Sequence, residues 1–538
     1  MAEPTIQLGG GNWAGKTDNL LGYYKEGERF YKQDFTFSRS TTGTYTDSEG
    51  YIQEMPYNLL TYSEDFSQWS LNTSGILSIE ANYAASPEGL QNAYKVNFIV
   101  QSDSDLSLSR IHTITGGSTY VYSIYIKGEG TNIGKDVVIK SKRQGGGDSA
   151  GTTTTQTLTN EWKRINFTTT YAANNINGRL LISSNDATSC LIYGAQAEEG
   201  TSAKTYFPTT TRLNMPRVSY LNNSNGSLIL EPQRTNLITY SSDFTQWGNA
   251  RTTDTANQIT SPDGLNNGTL LQQQSGQTNA GSIYFSVSLS SGTYAQSIFA
   301  KKKDKDFIVC YSANAERTYF NLSNGTIGTI ASGNTAKIED YGNGWYRCTI
   351  TYTITSGGVV AFYLSDSDNS SVVTDSGGVY IYGAQIEAGS YPTTLINTSG
   401  SSVTRNADVC NNGGDASRFN DNEGVLFFEG SALSDGTNQR WIAIGSGSNA
   451  NRVSIHFNAT NRISCSVRGS SSAIYDANFN IGSQTNNTKA AIKYKDSDYA
   501  FFVNGVKVDS QQSGSLSFNA SLSELSFDSA DDGSPFYG

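Results

Sequence analysis

The sequence predicts an all-β protein: one β-sandwich module present twice in tandem, followed by a β-sandwich of a different kind. Three observations carry this. The composition is poor in helix formers and rich in strand and turn residues, with 32 Tyr, 54 Gly, only 3 Met and 16% charged residues in 538. A phrase of twelve residues, NLLTYSEDFSQW from Asn58 to Trp69, returns as NLITYSSDFTQW from Asn236 to Trp247 with nine positions identical. From Asn420 onward, short alternating apolar and polar runs continue in a different pattern.

Four further markers recur in the same order, which makes the repeat a duplicated domain. SPEGL at Ser86 returns as SPDGL at Ser261, and GSTYVYSIYIK at Gly117 as SGTYAQSIFAK at Ser291. EWKRINFTTTY at Glu161 returns as GWYRCTITYTI at Gly344, and YGAQAEEG at Tyr193 as YGAQIEAG at Tyr382.

Taken in order, residues 1–56 are a Gly-rich leader followed by short strands around Phe35–Phe37 and Tyr51–Gln53. They hold too little apolar area for a core and are expected to pack on another subunit or on the first repeat. The first module covers 57–208. In TYVYSIYIK, Tyr120, Tyr122, Ile124 and Ile126 share one face, and Val121, Ser123, Tyr125 and Lys127 share a half-solvated one. Tyr62, Phe66 and Trp69, like Tyr240, Phe244 and Trp247, are spaced four and three apart. One short helical turn, capped by Ser63 or Ser241, brings each trio to one side as a plug for the core. Trp162 with Arg164, and Trp345 with Arg347, share a strand face, where an Arg stem over an indole is a packing device. A β connector at 209–233 repeats the turn, strand and Pro that precede the first module. The second module covers 234–396, a polar linker 397–419, and the third domain 420–538. Within FFVNGVKV, Asn504-Gly505 marks a two-residue type I′ hairpin.

The net charge of −11 disfavours a nucleic-acid partner. Cys190, Cys310, Cys348, Cys410 and Cys465 lack metal or disulfide spacing and read as buried thiols of a chain folded in a reducing compartment. The start of the chain has no secretion-signal pattern, and no run of eighteen apolar residues occurs, so no membrane insertion is expected.

Chemistry is sparse. The two histidines, His112 and His456, sit in strand-like runs and read as strand residues. Gly145–Gly147, beside Lys140, Lys142 and Arg143, lack the helix and GK[ST] of a phosphate loop and read as a surface hairpin loop. Asp103 with Asp105, and Asp366 with Asp368, lack the distal Glu of a calcium loop and read as turn formers. KKKDKD from Lys301 reads as a solvated loop. No residue is assigned as catalytic, cofactor-binding or metal-ligating, no cofactor is expected, and the ligand-contact residues are not identifiable.

The opening of each repeat resembles that of galactose-binding-like, carbohydrate-binding jelly rolls, with Tyr62-Ser63-Glu64-Asp65 where those have Asn-Gly-Asp. The string FSRSTTGTYTDSEGYIQEMPYNLLTYSEDFSQW, with YGAQ, YPTT and VTRNAD, resembles repeated modules of bacteriophage tail-fibre and head-fibre appendages. The part after Asn420 resembles a concanavalin A-like, laminin-G-type sandwich. SFDSADDGSPFYG looks like a late loop of that fold, after which a further strand is expected. These resemblances imply tandem jelly rolls followed by a concanavalin A-like domain. They also imply a non-enzymatic virion appendage assembled in the host cytoplasm and held to other virion proteins by its first 56 residues. The implied protein is homotrimeric and attaches to host-surface glycans by weak multivalent binding. The alternative is the carbohydrate-binding part of a polysaccharide-degrading enzyme whose catalytic domain lies elsewhere.

Overall fold

A computed structural model describes residues 7–8, 20–26, 29–39, 41–55, 58–102, 105–114, 116–144, 151–172, 176–203, 206–209, 216–221, 223–355, 357–459, 461–531 and 533–538, with backbone alone before residue 35. The chain divides into two compact units, one built on 56–215 and the other on 20–55 with 216–538.

The smaller unit is a sandwich of two five-stranded antiparallel sheets. One sheet runs, in spatial order, Thr153–Thr157, Asp136–Arg143, Asn177–Ser183, Leu108–Thr113 and Ser70–Leu71. The other runs Lys163–Thr170, Thr119–Lys127, Ser189–Glu199, Ala93–Phe98 and Ile76–Ala84. Tyr120, Tyr122, Ile124 and Ile126 enter the core together, as period-two alternation requires. The opposite side of that strand is buried at its start and half-exposed at its end: Val121 and Ser123 are buried, Tyr125 and Lys127 half-buried. Arg164 donates to Ser123 Oγ, and next to that strand the chain at Phe207 is hydrogen-bonded onto Gln196.

The larger unit contains the second copy with the same strand order and one extra edge strand per sheet. Its first sheet runs Gly248–Ala250, Ser282–Leu289, Gly357–Ser365, Phe307–Tyr311, Arg317–Asn321 and Thr326–Ile327. Its second runs Thr252–Ile259, Gly268–Gln273, Gly378–Ala388, Gly292–Lys302, Trp345–Ile354 and Thr335–Asp340. SIYIK and SIFAK therefore lie on corresponding strands.

The repeated phrase has two jobs. Phe66 with Trp69, and Phe244 with Trp247, plug their cores from a short 3₁₀ turn. The cap is Asp65 or Asp243, not the serine: Asp65 Oδ1 accepts from Ser67 N at 3.1 Å and Asp243 Oδ1 from Thr245 N at 3.2 Å. Ser63 and Ser241 instead accept from Thr209 N and Thr398 N. Tyr62 and Tyr240 stay outside the plug, and their carbonyls accept the Trp69 and Trp247 indole N–H at 2.9 Å. The turns span only Phe66–Gln68 and Phe244–Gln246, so the tyrosine four positions earlier lies outside them and is not carried to the same side.

The second job belongs to the leading asparagine. Asn58 accepts from Leu60 N and Ala197 N at 3.0 Å and donates to Ala195 O at 2.7 Å and Phe207 O at 3.1 Å. Asn236 makes the corresponding four bonds, to Ile238 N, Ile386 N, Ala384 O and Ile396 O. The glutamine of YGAQ completes the clasp, with Gln196 accepting from Phe207 N and Gln385 from Ile396 N, both at 2.7 Å. Beginning, last long strand and end of each module are thus tied by buried amides whose capacity is filled.

The third sandwich pairs a four-stranded sheet, Glu423–Gly430, Thr488–Lys495, Tyr499–Val503 and Val506–Gln511, with a five-stranded one. The latter runs Ser472–Asn480, Arg462–Gly469, Arg452–Ala459, Arg440–Gly445 and Glu524–Ser526. Val503 pairs with Val506 across Asn504 and Gly505, at φ 49 and 83, the two left-handed residues a type I′ turn needs.

Residues 35–55 are built into this larger unit. Phe35 and Phe37 lie in the core of the third sandwich, and Ile52 packs with Phe299, Trp345, Tyr382 and Leu395 of the second module. The connector behaves alike, with Leu228 and Leu230 on the third sandwich's core. The stretch 397–419 differs from a polar linker: Val403–Arg405 pairs with Arg234–Asn236, and Val409–Asn411 with Thr36–Ser38. A fully buried ionic hub explains why. Arg39 donates to Asp408 Oδ1 at 2.8 Å, and Arg217 reaches Asp408 Oδ2 at 2.5 Å and Glu231 Oε2 at 2.7 Å. Arg405 reaches Glu231 Oε2 at 2.6 Å. Each charge is desolvated only because its counter-charges are brought by distant segments.

Burial alone would raise the Glu231 carboxyl, but Arg405, Arg217 and Thr394 outweigh it and hold it at about 2, below the ordinary 4.5. A lowered folded-state pKa stabilises fully above about pH 4.5, and that contribution drains away as pH falls toward 2. The urea midpoint of the larger unit is expected to fall across that window, and less in Glu231→Gln.

All five cysteines are buried. Burial pushes the thiols of Cys190, Cys310, Cys348 and Cys465 up, so the thiolate is scarce. Iodoacetamide is expected to leave the native chain unlabelled and to label five sites after unfolding, as counted by mass.

Candidate functional site

The candidate site lies on the outer face of the first sheet of the second module. Alternation sends Ile308, Cys310, Phe320, Phe362 and Leu364 into the core and turns their neighbours outward. Register then sets Tyr284, Ala361, Tyr311 and Arg317 in one row across four strands, and Ser282, Tyr363, Val309 and Tyr319 in the next. Tyr311 and Tyr363 meet with ring centroids 5.4 Å apart and planes at 56°, and the Arg317 guanidinium lies 4.7 Å from the Tyr363 centroid. Tyr284 is 37% exposed, and its ring lies on the backbone of its cross-strand partner Gly248, where an added Cβ would come within 2.3 Å of it. One ring face is therefore seated on the strand.

A cleft of about 560 Å³ adjoins the Tyr311 ring, lined by Tyr311, Glu316, Arg317, Tyr319, Thr329 and Asn369. Its walls are fixed by local hydrogen bonds. Ser312 N donates to Glu316 O at 2.9 Å through a turn that holds Ala315 at φ 65, a left-handed value costly for alanine. Asp368 accepts from Thr329 N at 2.7 Å and Thr329 Oγ1 at 2.9 Å, and Tyr319 OH donates to Ser370 O at 3.4 Å. Aromatic surface flanked by a carboxylate, an amide and a guanidinium suits a ligand with apolar C–H faces and peripheral hydroxyls.

The first copy lacks this surface. There Ser109 pairs with Ser70 as Tyr284 pairs with Gly248, each partner being the residue after the tryptophan of the repeated phrase. This register places Ser109 at the Tyr284 position, Lys140 at Tyr311, Ser183 at Tyr363 and Thr155 at Tyr319. Lys140 and Lys142 both reach Asp105, the former at 3.0 Å.

The residues singled out from sequence are placed otherwise. His112 is buried, with burial holding it near 4, and its Nε2 is 2.8 Å from Tyr122 OH, itself 2.5 Å from Tyr171 OH. It is a neutral member of a core hydrogen-bond chain. His456 stacks on Trp441 in the third sandwich, with centroids 3.6 Å apart. Asp366 accepts from Lys305 and Thr374. Lys305 corrects the reading of KKKDKD as a solvated loop: it is 2% exposed and also reaches Asp375 at 2.7 Å. Arg164 and Arg347 lie over Tyr125 and Phe299 and not over Trp162 and Trp345, whose indoles donate to Ala85 O and Thr260 O. Asp103 and Gly145–Gly147 fall outside the described residues. Among the described residues no group of three or more His, Cys, Asp or Glu is placed to hold a metal, and no helix is long and apolar enough to cross a membrane.

No protein-family model matches the chain, and no curated protein matches it. Among solved structures it is similar to the N-terminal CBM22-1–CBM22-2 tandem domain of Xyn10C from Paenibacillus barcinonensis. That similarity has 13% identity, covers 62% of this chain and 98% of that one, and gives a TM-score of 0.24. This superposition is too loose to place any residue.

Proposed function

We propose that the chain is a non-enzymatic glycan-binding protein whose second module holds neutral sugar rings on Tyr284, Tyr311 and Tyr363. The observation that carries this is the difference between the two copies. Both fold with the same strand order, so a need of the fold itself would put aromatics at these positions in both; only the second copy has them, and its Tyr311 lines an open cleft. Each ring contributes about 1 kcal/mol, so one site is weak, with Kd in the millimolar range. Assembly as a homotrimer would multiply weak sites into useful avidity.

The setting that fits is a phage tail or head appendage with jelly-roll modules and a concanavalin A-like end, attaching a virion to host-surface glycan. This rests on the sequence resemblance of the lead-in and repeat motifs. The tyrosine face serves equally well in the binding part of a polysaccharide-degrading protein, and electron micrographs of particles labelled for this chain separate the two settings.

The binding reading is tested by affinity electrophoresis of the full chain through gels containing neutral polysaccharides. Retardation by at least one is expected, and Tyr311→Ala with Tyr363→Ala should weaken it roughly tenfold or more. A chain that no neutral polysaccharide retards, or a double variant retarded like the parent, contradicts it.

A further inference from the structure

The five-stranded sheet of the third sandwich has a second face that the tyrosine site does not explain. Val453, Ile455, Phe457, Ile463, Cys465 and Val467 point into the core, so Arg452, Ser454 and His456 point away from it beside Ser464, Ser466 and Arg468. Cross-strand register sets Arg452 opposite Arg468, Ser454 opposite Ser466, and His456 opposite Ser464. Residues on a non-core face are ordinarily wet. Here Arg452 and His456 are each only 7% exposed, and Ser466 1%.

Four polar atoms on this face are buried without a hydrogen-bond partner: Arg452 Nε, Arg468 Nε, Ser466 Oγ and His456 Nδ1. An unpaired buried donor costs about 1–3 kcal/mol, so four on two adjacent strands call for a group that satisfies them. The scaffold around them is rigid. Arg452 lies 4.3 Å from the Trp441 ring centroid and donates from Nη1 to Ser529 O at 3.1 Å, while Trp441 stacks on His456 with planes 13° apart. Arg468 is held by Asp476 only at a loose 3.6 Å. In a chain of net charge −11, two cross-strand arginines whose Nε–H groups are both buried and unpaired mark an anion position.

We propose that this face is an oxyanion site, in which a carboxylate or phosphate group accepts from Arg452 Nε and Arg468 Nε, with Ser466 Oγ and His456 Nδ1 completing its shell. It lies in a different sandwich from the tyrosine face and takes a ligand of different charge.

The test uses the full chain and two probes, trigalacturonate and inorganic phosphate, with neutral galactotriose as control. Because the chain has only two histidines, the ¹⁵N imidazole signals of His112 and His456 are readily told apart. Binding is expected to move the His456 Nδ1 resonance, to leave His112 in place and to be absent with galactotriose. Arg468→Gln and Ser466→Ala should each keep the parent melting profile and weaken binding, the former by about tenfold or more. Response to trigalacturonate alone assigns the site to acidic saccharide, response to phosphate alone to the free ion, and response to both to any accessible oxyanion. No movement of His456 with either probe, or binding unchanged in Arg468→Gln, overturns the proposal.

Discussion

Replacing Asp408 by alanine is expected to destabilise the larger unit by about 3–5 kcal/mol, enough to abolish its cooperative unfolding transition if the unit is of ordinary stability. Its carboxylate takes Arg39 on one oxygen and Arg217 on the other, and also accepts from Glu231 N at 2.9 Å. Removing it leaves two guanidinium groups, each 0% exposed, facing each other with Glu231 as the remaining nearby acid. Calorimetry of the parent and Asp408→Ala chains reads this directly. The smaller unit shares none of these contacts, so its transition should persist. Removal of residues 1–56 should act likewise, because it strips Phe35, Phe37 and Arg39 from the third sandwich and the hub, so the larger unit should lose stability.

The second large effect is expected at Asn236. Alanine there deletes four hydrogen bonds and strands the N–H of Ile238 and Ile386 and the carbonyls of Ala384 and Ile396 in the interior. At about 1–3 kcal/mol for each buried group left unpaired, with some relaxation, the cost is roughly 3–6 kcal/mol. Asn58→Ala should do the same to the smaller unit alone. Amide hydrogen exchange tells them apart: each variant should lose protection in its own module, and loss in both modules from either variant would contradict two independent clasps.

These two sites also show what the sequence could and could not disclose. The duplication was legible because the repeated phrase carries local work: Asn58 bonds two residues ahead, and Phe66 and Trp69 sit in one turn, so the same residues recur wherever the same turn is built. The type I′ hairpin at Asn504-Gly505 was legible for the same reason. The hub was not, because Arg39 and Asp408 are 369 residues apart and each looks like an ordinary surface charge in its own neighbourhood. Lys305 was misread likewise, its burial being set by Asp366 and Asp375 on another loop. The tyrosine face failed for a different reason. Alternation says which residues share a side of a strand, but both sides of FIVCY are apolar, and only the assembled sandwich shows that Tyr311 points outward. His456 was rightly read as a strand residue, but its unfilled Nδ1 depends on arginines brought alongside by strand pairing.

The most direct test is the stoichiometry of neutral-glycan binding. Isothermal titration of the full chain with the oligosaccharide of whichever neutral polysaccharide retards it should give one weak site per chain, because the face that carries three tyrosines in the second module carries Ser109, Lys140 and Ser183 in the first. The Tyr311→Ala, Tyr363→Ala chain should release no binding heat while melting as the parent does. Two equivalent sites per chain, or full binding heat in that variant, would place recognition elsewhere and contradict the assignment.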